Sequence, residues 1–320
     1  MSKEIKGRLY MIFAAALYGL CAVLSKQVLK GQLSVGMMMF LRGICGMLLL
    51  FMLKMFKREK IYLSRQACPK AALLAVFGIS MTQLALNSAY AYLPVGTVTA
   101  IHFIYPVLVS VFSAIIFRER ISSASKIILV ISALSLFLFF EDASGGQWKG
   151  YLFSVISAFA WSFYLIYVDR SGVLKEDKLS VAFFTCAVMA AVGMVCGIAA
   201  GSFRFEGSGF TLLTVLLIAL LNHVIAMILQ QKGVERIGAA SASVFGVFEP
   251  VSSIVFGALL LREHLKPGQI AGSGIIILSI AAMTVVPVLQ KGKRKPRKKF
   301  FYIENFEARW YNKHQKKFRK

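Results

Sequence analysis

Four ionisable side chains lie deep inside long apolar runs: Arg42, His102, His223 and Glu249. A charged group at the centre of a bilayer costs about 2.5–3.5 kcal/mol unless it faces protein or water, so each marks a binding site, a proton path or an internal ion pair. Glu249 stands directly before Pro250, as Tyr105 stands before Pro106. Two readings hold for Glu249: a binding or proton-coupled carboxylate at a kink, or a structural acid that satisfies amides freed by the proline. Arg42 could bind a substrate carboxylate or close an internal ion pair. His102 and His223 read first as hydrogen-bonded links between helices and second as ligands, a choice shared by Asn87, Gln83, Asn222, Gln230 and Gln231. Tyr18 and Trp161 are aromatic side chains that could clamp an organic ligand or simply pack; Trp161 is too deep for an interfacial belt.

Other chemistry is missing from the pattern. Only one acid lies deep, where an intramembrane aspartyl protease needs two. Neither H-E-x-x-H nor G-x-S-x-G occurs, and Arg262-Glu263-His264 is not a zinc signature. The five cysteines have no C-x-x-C spacing and read as small free hydrophobes. No phosphate-binding loop is visible. The expectation is a protein that is not an enzyme, with no cofactor and no metal, taking its energy from a gradient.

The elements that carry these residues are membrane helices. The chain of 320 residues is 58% hydrophobic and 16% charged, with a mean hydropathy of +0.71. A soluble domain could not cover itself with so few charges. Apolar runs place helices at about 8–28, 34–55, 70–90, 93–117, 124–141, 148–169, 179–201, 209–230, 236–261 and 268–289. The first run begins after a basic stretch but has no small-x-small cleavage site, so it reads as a spanning helix rather than a signal peptide.

The net charge of +23 is segregated. Residues 291–320 hold 13 Lys/Arg against Glu304 and Glu307, and 30 of all 37 Lys/Arg fall in the tail and on one set of loops. That asymmetry places both termini in the cytoplasm of a multi-pass cell-membrane protein. The tail interleaves Ile303, Phe306 and Trp310 with lysines, which suits either an interfacial helix on anionic inner-leaflet lipids or a solvated, disordered segment. Nucleic acid is not the expected partner.

The chain repeats itself. Pro106–Glu119 (PVLVSVFSAIIFRE) aligns with Pro250–Glu263 (PVSSIVFGALLLRE) with seven of 14 positions identical. Gly7–Gly19 aligns with Gly150–Ser162, pairing Tyr18 with Trp161, and Leu33-Ser34-Val35 recurs as Leu179-Ser180-Val181. The domains are therefore residues 1–145, a first five-helix repeat, and 146–290, a second, with 291–320 as the tail. An odd number of helices per copy inverts the second copy in the membrane, the arrangement that allows one site to open to either face in turn. Pro106 and Pro250 should kink the fourth and ninth helices at equivalent depths. Gly197-x-x-x-Gly201 and Gly268-x-x-x-Gly272 allow close helix approach, within the chain or, for the latter, in a homodimer.

Together these features resemble the EamA-like family of the drug/metabolite transporter superfamily over about residues 8–289. The residues that carry the resemblance are Tyr18-Gly19 and Trp161-Ser162, Arg42, the run from Pro106 to Arg118-Glu119, and that from Ile237-Gly238-Ala239-Ala240 through Glu249-Pro250 to Arg262-Glu263. The resemblance implies an all-α carrier of ten transmembrane helices in two inverted repeats. Its central cavity would be lined by helices one to four and six to nine, and would move a small organic metabolite, amino acid-like or drug-like, in the direction of export. Tyr18 stands where the family more usually has tryptophan. A membrane scaffold acting through the basic tail is the alternative reading.

Overall fold

The computed structural model describes residues 3–30, 33–117 and 146–264 apart from 247, with isolated positions from 127 to 134 and from 267 to 278. Among these residues eight helices are long and apolar enough to cross a membrane. They are α1 (Lys3–Leu29), α2 (Val35–Phe56), α3 (Ala67–Ala89), α4 (Val95–Phe117), α5 (Trp148–Arg170), α6 (Lys178–Ala199), α7 (Gly209–Ile237) and α8, in two segments, Ala239–Phe245 and Phe248–Leu261. They match the predicted helices one to four and six to nine. The predicted fifth and tenth helices fall largely outside the described residues; Ile127, Val130, Ile131 and Leu134, at helical spacing, are exposed and helical. The tail from 291 lies outside them altogether.

The described chain is all-α, its one extended pairing being an isolated antiparallel bridge between Leu33 and Phe205. That bridge joins the α1–α2 loop to the α6–α7 loop. At the other end of α2, the α2–α3 loop meets the α5–α6 loop: the Tyr62 amide donates to Ser180 Oγ at 3.2 Å and Ser64 Oγ to Glu176 at 2.6 Å. So the first loop of each repeat packs against the second loop of the other. Loops one and two lie at opposite ends of a helix, and this pairing is what inversion requires.

Helices α2 and α6 approach each other closely through glycine. A methyl group on Gly36 would lie 2.6 Å from Gly197 Cα, and one on Gly193 would lie 2.6 Å from the Phe40 amide nitrogen. The working small-residue pair is thus Gly193-x-x-x-Gly197, not the expected Gly197-x-x-x-Gly201: α6 ends at Ala199, and Gly201 takes a left-handed turn at φ 62°. The repeat register is also corrected. Ser34 caps α2 by accepting from the Met37 amide, and Asp177 caps α6 by accepting from the Ser180 amide. This pairs Ser34 with Asp177, 143 positions on, so the Leu-Ser-Val recurrence is out of step by three residues.

Two distortions recur in both repeats. The first is at the prolines. Helix α4 breaks between His102 and Tyr105, and α8 breaks between Phe245 and Phe248. Each proline sits in the first turn after its break, where its missing N–H costs nothing, and its ring would clash with a carbonyl four residues earlier if the helix ran on. The second distortion is a π-helical segment in α3, Leu74–Ser80, and another in α7, Ala219–Ala226. They begin 145 positions apart, so they occupy matching places in matching helices. Such wide turns occur often at functional sites.

Candidate functional site

A cavity lies at the heart of the bundle, between α1, α2, α3, α4, α5, α7 and α8. Of the expected site residues, Tyr18, Arg42, Asn87, His102, Trp161 and Glu249 all line it. Tyr105 and His223 do not. The Tyr105 ring packs behind the wall, with centroids 5.3 Å from His102 and 6.5 Å from Trp161. His223 lies against α2, its Cβ 3.4 Å from where a methyl on Gly46 would lie, while its neighbour Asn222 lines the cavity.

Each distortion aims side chains inward. After the π turn of α3, Thr82, Gln83, Asn87 and Tyr90 form one inward stripe. The π turn of α7 contributes Asn222. The break in α4 delivers His102 and the break in α8 delivers Glu249. On α1, the residues Tyr18, Cys21, Ala22 and Ser25 recur at the three- and four-residue spacing of a single helix face. Sequence reading passed over Cys21, Ser25, Thr82 and Tyr90. The signal available was this spacing of polar groups along otherwise apolar helices.

The aromatic wall is built across the two repeats. Tyr18 meets Trp161 edge to face at 5.7 Å, and Trp161 stacks on Tyr164 at 4.6 Å. The Tyr18 hydroxyl donates to Gln230 Oε1 at 3.0 Å, fixing the ring between α1 and α7. His102 Nδ1 shares a hydrogen bond with Ser157 Oγ at 2.8 Å, a link between α4 and α5.

The charged groups are less well served. Arg42 is 1% exposed. Its Nη1 makes one long hydrogen bond to Ser25 Oγ at 3.4 Å, and its Nε and Nη2 have no partner among the described residues. Glu249 is 6% exposed, and no hydrogen bond or ion pair to its carboxylate occurs among the described residues. Buried charges are ordinarily paired, because an unpaired one keeps the full cost of leaving water. A guanidinium with an open edge and a free carboxylate therefore share one chamber walled by aromatic rings. Such a chamber can hold a small molecule through a carboxylate, a cationic or donor group, and a flat or apolar body.

Its size in this conformation is smaller than such a molecule. About 400 Å³ is free of protein atoms, but the part open to the centres of water molecules is about 30 Å³. One water needs about 10–15 Å³ by that measure, so this conformation accommodates roughly two waters and no organic ligand. Any larger occupant requires the walls of the cavity to move.

Comparison with known proteins places these features. The model of the EamA-like transporter family matches twice, at residues 5–141 and 148–285, once per repeat. An uncharacterized transporter of Archaeoglobus fulgidus is 25% identical over 66% of this chain and 76% of its own. One of Clostridium kluyveri is 22% identical over 85% and 91%. The uncharacterized inner membrane transporter YicL of Salmonella typhimurium is 21% identical over 89% and 97%. A crystal structure with 18% sequence identity superposes with a TM-score of 0.67 over 89% of this chain and 98% of that one, a likeness of fold. The doubled match, the paired breaks and the central chamber agree, and the chain belongs to the EamA-like transporter family.

Proposed function

We propose that this protein is a secondary transporter that moves a small organic metabolite, amino acid-like or drug-like, across the cell membrane by alternating access, with export as its direction. The observation that carries the reading is Arg42: a buried guanidinium in the wall of the central cavity, whose Nε and Nη2 have no partner among the described residues. Those two nitrogens match the fork geometry of a carboxylate, which would satisfy both at once. Glu249 and the hydroxyl, amide and imidazole groups of Tyr18, Asn87 and His102 would take the substrate's other polar groups. Trp161 and Tyr18 would clamp its body. Tyr105 and His223 would support the wall from behind.

The small volume of the chamber supports alternation rather than an open pore. The breaks at Pro106 and Pro250 supply the hinge points in equivalent helices. Lysine and arginine counts support an orientation with both termini in the cytoplasm, and an ion gradient or the substrate's own gradient would drive transport.

The test begins with thermal shifts of the purified protein against small carboxylates, zwitterions, amines and nucleosides, since a ligand raises apparent stability. The hits are then followed as flux in proteoliposomes. A carboxylate-bearing compound should stabilise the wild type and not Arg42→Gln. Wild-type flux in both Arg42→Gln and Glu249→Gln would sink the assignment.

A further inference from the structure

The end of the bundle at which α1 finishes is closed by a polar cluster that spans both repeats. Lys26 Nζ lies 2.7 Å from Glu263 Oε1 and donates to the Leu93 carbonyl at 2.8 Å. Glu263 Oε2 accepts from the Val95 amide at 2.9 Å. Both side chains are largely sheltered, at 14% and 12% exposure. Glu263 is brought there by a left-handed turn at Arg262, φ 54°, which sends the Glu263 amide back to the Gly257 carbonyl. Four segments are thereby tied at one point: the end of α1, the start of α4, the end of α8 and the α3–α4 junction.

The internal symmetry maps part of this cluster onto residues at the other end of the bundle. Lys26 maps onto Asp169 at an offset of 143, and Leu93, Val95 and, in reverse, Gly257 map onto Ile237, Ala239 and Ser113 at 144. Asp169, Ile237, Ala239 and Ser113 line a second cavity at the opposite end of the bundle, where about 190 Å³ is open to the centres of water molecules.

We propose that Lys26 and Glu263, with the Leu93 carbonyl and Val95 amide, form a latch that seals the central cavity from the face at which α1 ends, and that it must open for substrate to pass there. This rests on the transport reading above. Lys26 follows directly on Ser25, which lines the cavity, and stands five residues, about 7.5 Å of helix rise, beyond Cys21. Opening the latch would expose the next residues down α1 to water from that face.

Cys21 is the reporter: it is 1% exposed and lines the cavity. The full chain, with Cys45, Cys68, Cys186 and Cys196 changed to Ala, is placed in membrane vesicles of both orientations. Each is treated with the membrane-impermeant thiol reagent methanethiosulfonate ethyltrimethylammonium. Lys26→Met, and the double variant Lys26→Met/Glu263→Gln that leaves no unpaired charge, should speed Cys21 labelling roughly tenfold or more, from the latch face alone. Lys26→Arg should label as slowly as the unsubstituted reporter. A double variant that labels at the unsubstituted rate, or equally fast from both faces, overturns the latch. Labelling needs no substrate, so an opened latch without flux of any compound would count against transport and not against the latch.

Discussion

Gly19 lies so close to Glu249 that a methyl group in its place would stand 2.5 Å from the Glu249 carbonyl oxygen and 2.8 Å from the Ser253 amide nitrogen. The pseudo-equivalent pair is Ser162 and Tyr105, where the serine hydroxyl donates to the Tyr105 carbonyl at 3.2 Å. In both repeats a small residue on the first helix lets the residue before the proline approach backbone to side. The Ser252 hydroxyl also crowds this position, but the other two obstacles at Gly19 are backbone atoms, which cannot swing aside. Gly19→Ala should therefore lower stability by about 1–3 kcal/mol and part α1 from α8. Ser162→Ala removes only a hydroxyl and should cost about 1 kcal/mol. Melting temperatures of the two variants in detergent check the ranking, and equal losses would refute the close-approach argument.

The breaks at Pro106 and Pro250 were legible because a single residue type causes them: proline lacks the donor and its ring clashes, wherever it stands. The cavity wall was legible at Arg42 and Glu249 because a charge in an apolar run is conspicuous one residue at a time. The π segments were not legible. Leu74–Ser80 and Ala219–Ala226 share no marker residue that would announce a wide turn in the sequence. The choice between Asn222 and His223 had the same origin, since neighbours on a helix point about 100° apart and a π turn shifts which one faces inward. The Leu-Ser-Val recurrence misled for the opposite reason: three common residues matched by sequence while the caps, Ser34 and Asp177, fixed a different register.

Arg42 should show opposite signs for stability and function. Its buried guanidinium has one long hydrogen bond and two nitrogens without a partner, so without ligand it is a destabilising group. Arg42→Met fills a similar volume without the charge and should raise the melting temperature, by on the order of 1 kcal/mol or more, while abolishing substrate flux. A site residue retained at the expense of stability behaves this way. If Arg42→Met melted lower than wild type, the guanidinium would be a structural member and not a binding group.

At the junction of α7 and α8, Gly238 adopts φ 76° and ψ 160°. Only glycine enters that region without strain, and a side chain there costs about 1–3 kcal/mol. No atom lies within 4 Å of the place a Cβ would occupy, so the cost of Gly238→Ala comes from the backbone alone. Gly209 has equally open surroundings and no left-handed φ. Gly209→Ala should thus leave the melting temperature unchanged or slightly raised, while Gly238→Ala lowers it. The same substitution should also disturb the second cavity, which Gly238 lines, and slow any closure of that end.

The clamp beneath α2 and α6 sets an acid limit on stability. Lys54, 5% exposed, lies 2.7 Å from Asp177 and 3.2 Å from Glu59, so its ammonium is held by two acids in the loops of different repeats. Partial burial pushes the Asp177 carboxyl up, but the hydrogen bonds from Lys54 and Ser180 outweigh it and hold the group below the usual carboxylate range. The folded protein therefore releases this proton more readily than the unfolded chain does. The contribution of Asp177 is full above the ordinary aspartate pKa of about 3.9, and it is lost as pH falls through the folded-state value. Melting temperature should not vary through Asp177 between pH 7 and pH 5, where its contribution is full, and should decline below about pH 4 in part through this group. Asp177→Asn keeps a cap for α6 but withdraws one of the two charges from Lys54. Asp177→Ala loses the cap as well, a further cost of about 1 kcal/mol. The order wild type, Asn, Ala should hold at pH 7, and wild type and Asn should converge as the acid limit is approached, with Ala still below both. If the gap between wild type and Asp177→Asn were the same at pH 3 as at pH 7, the ion pair with Lys54 would not be the source of the difference.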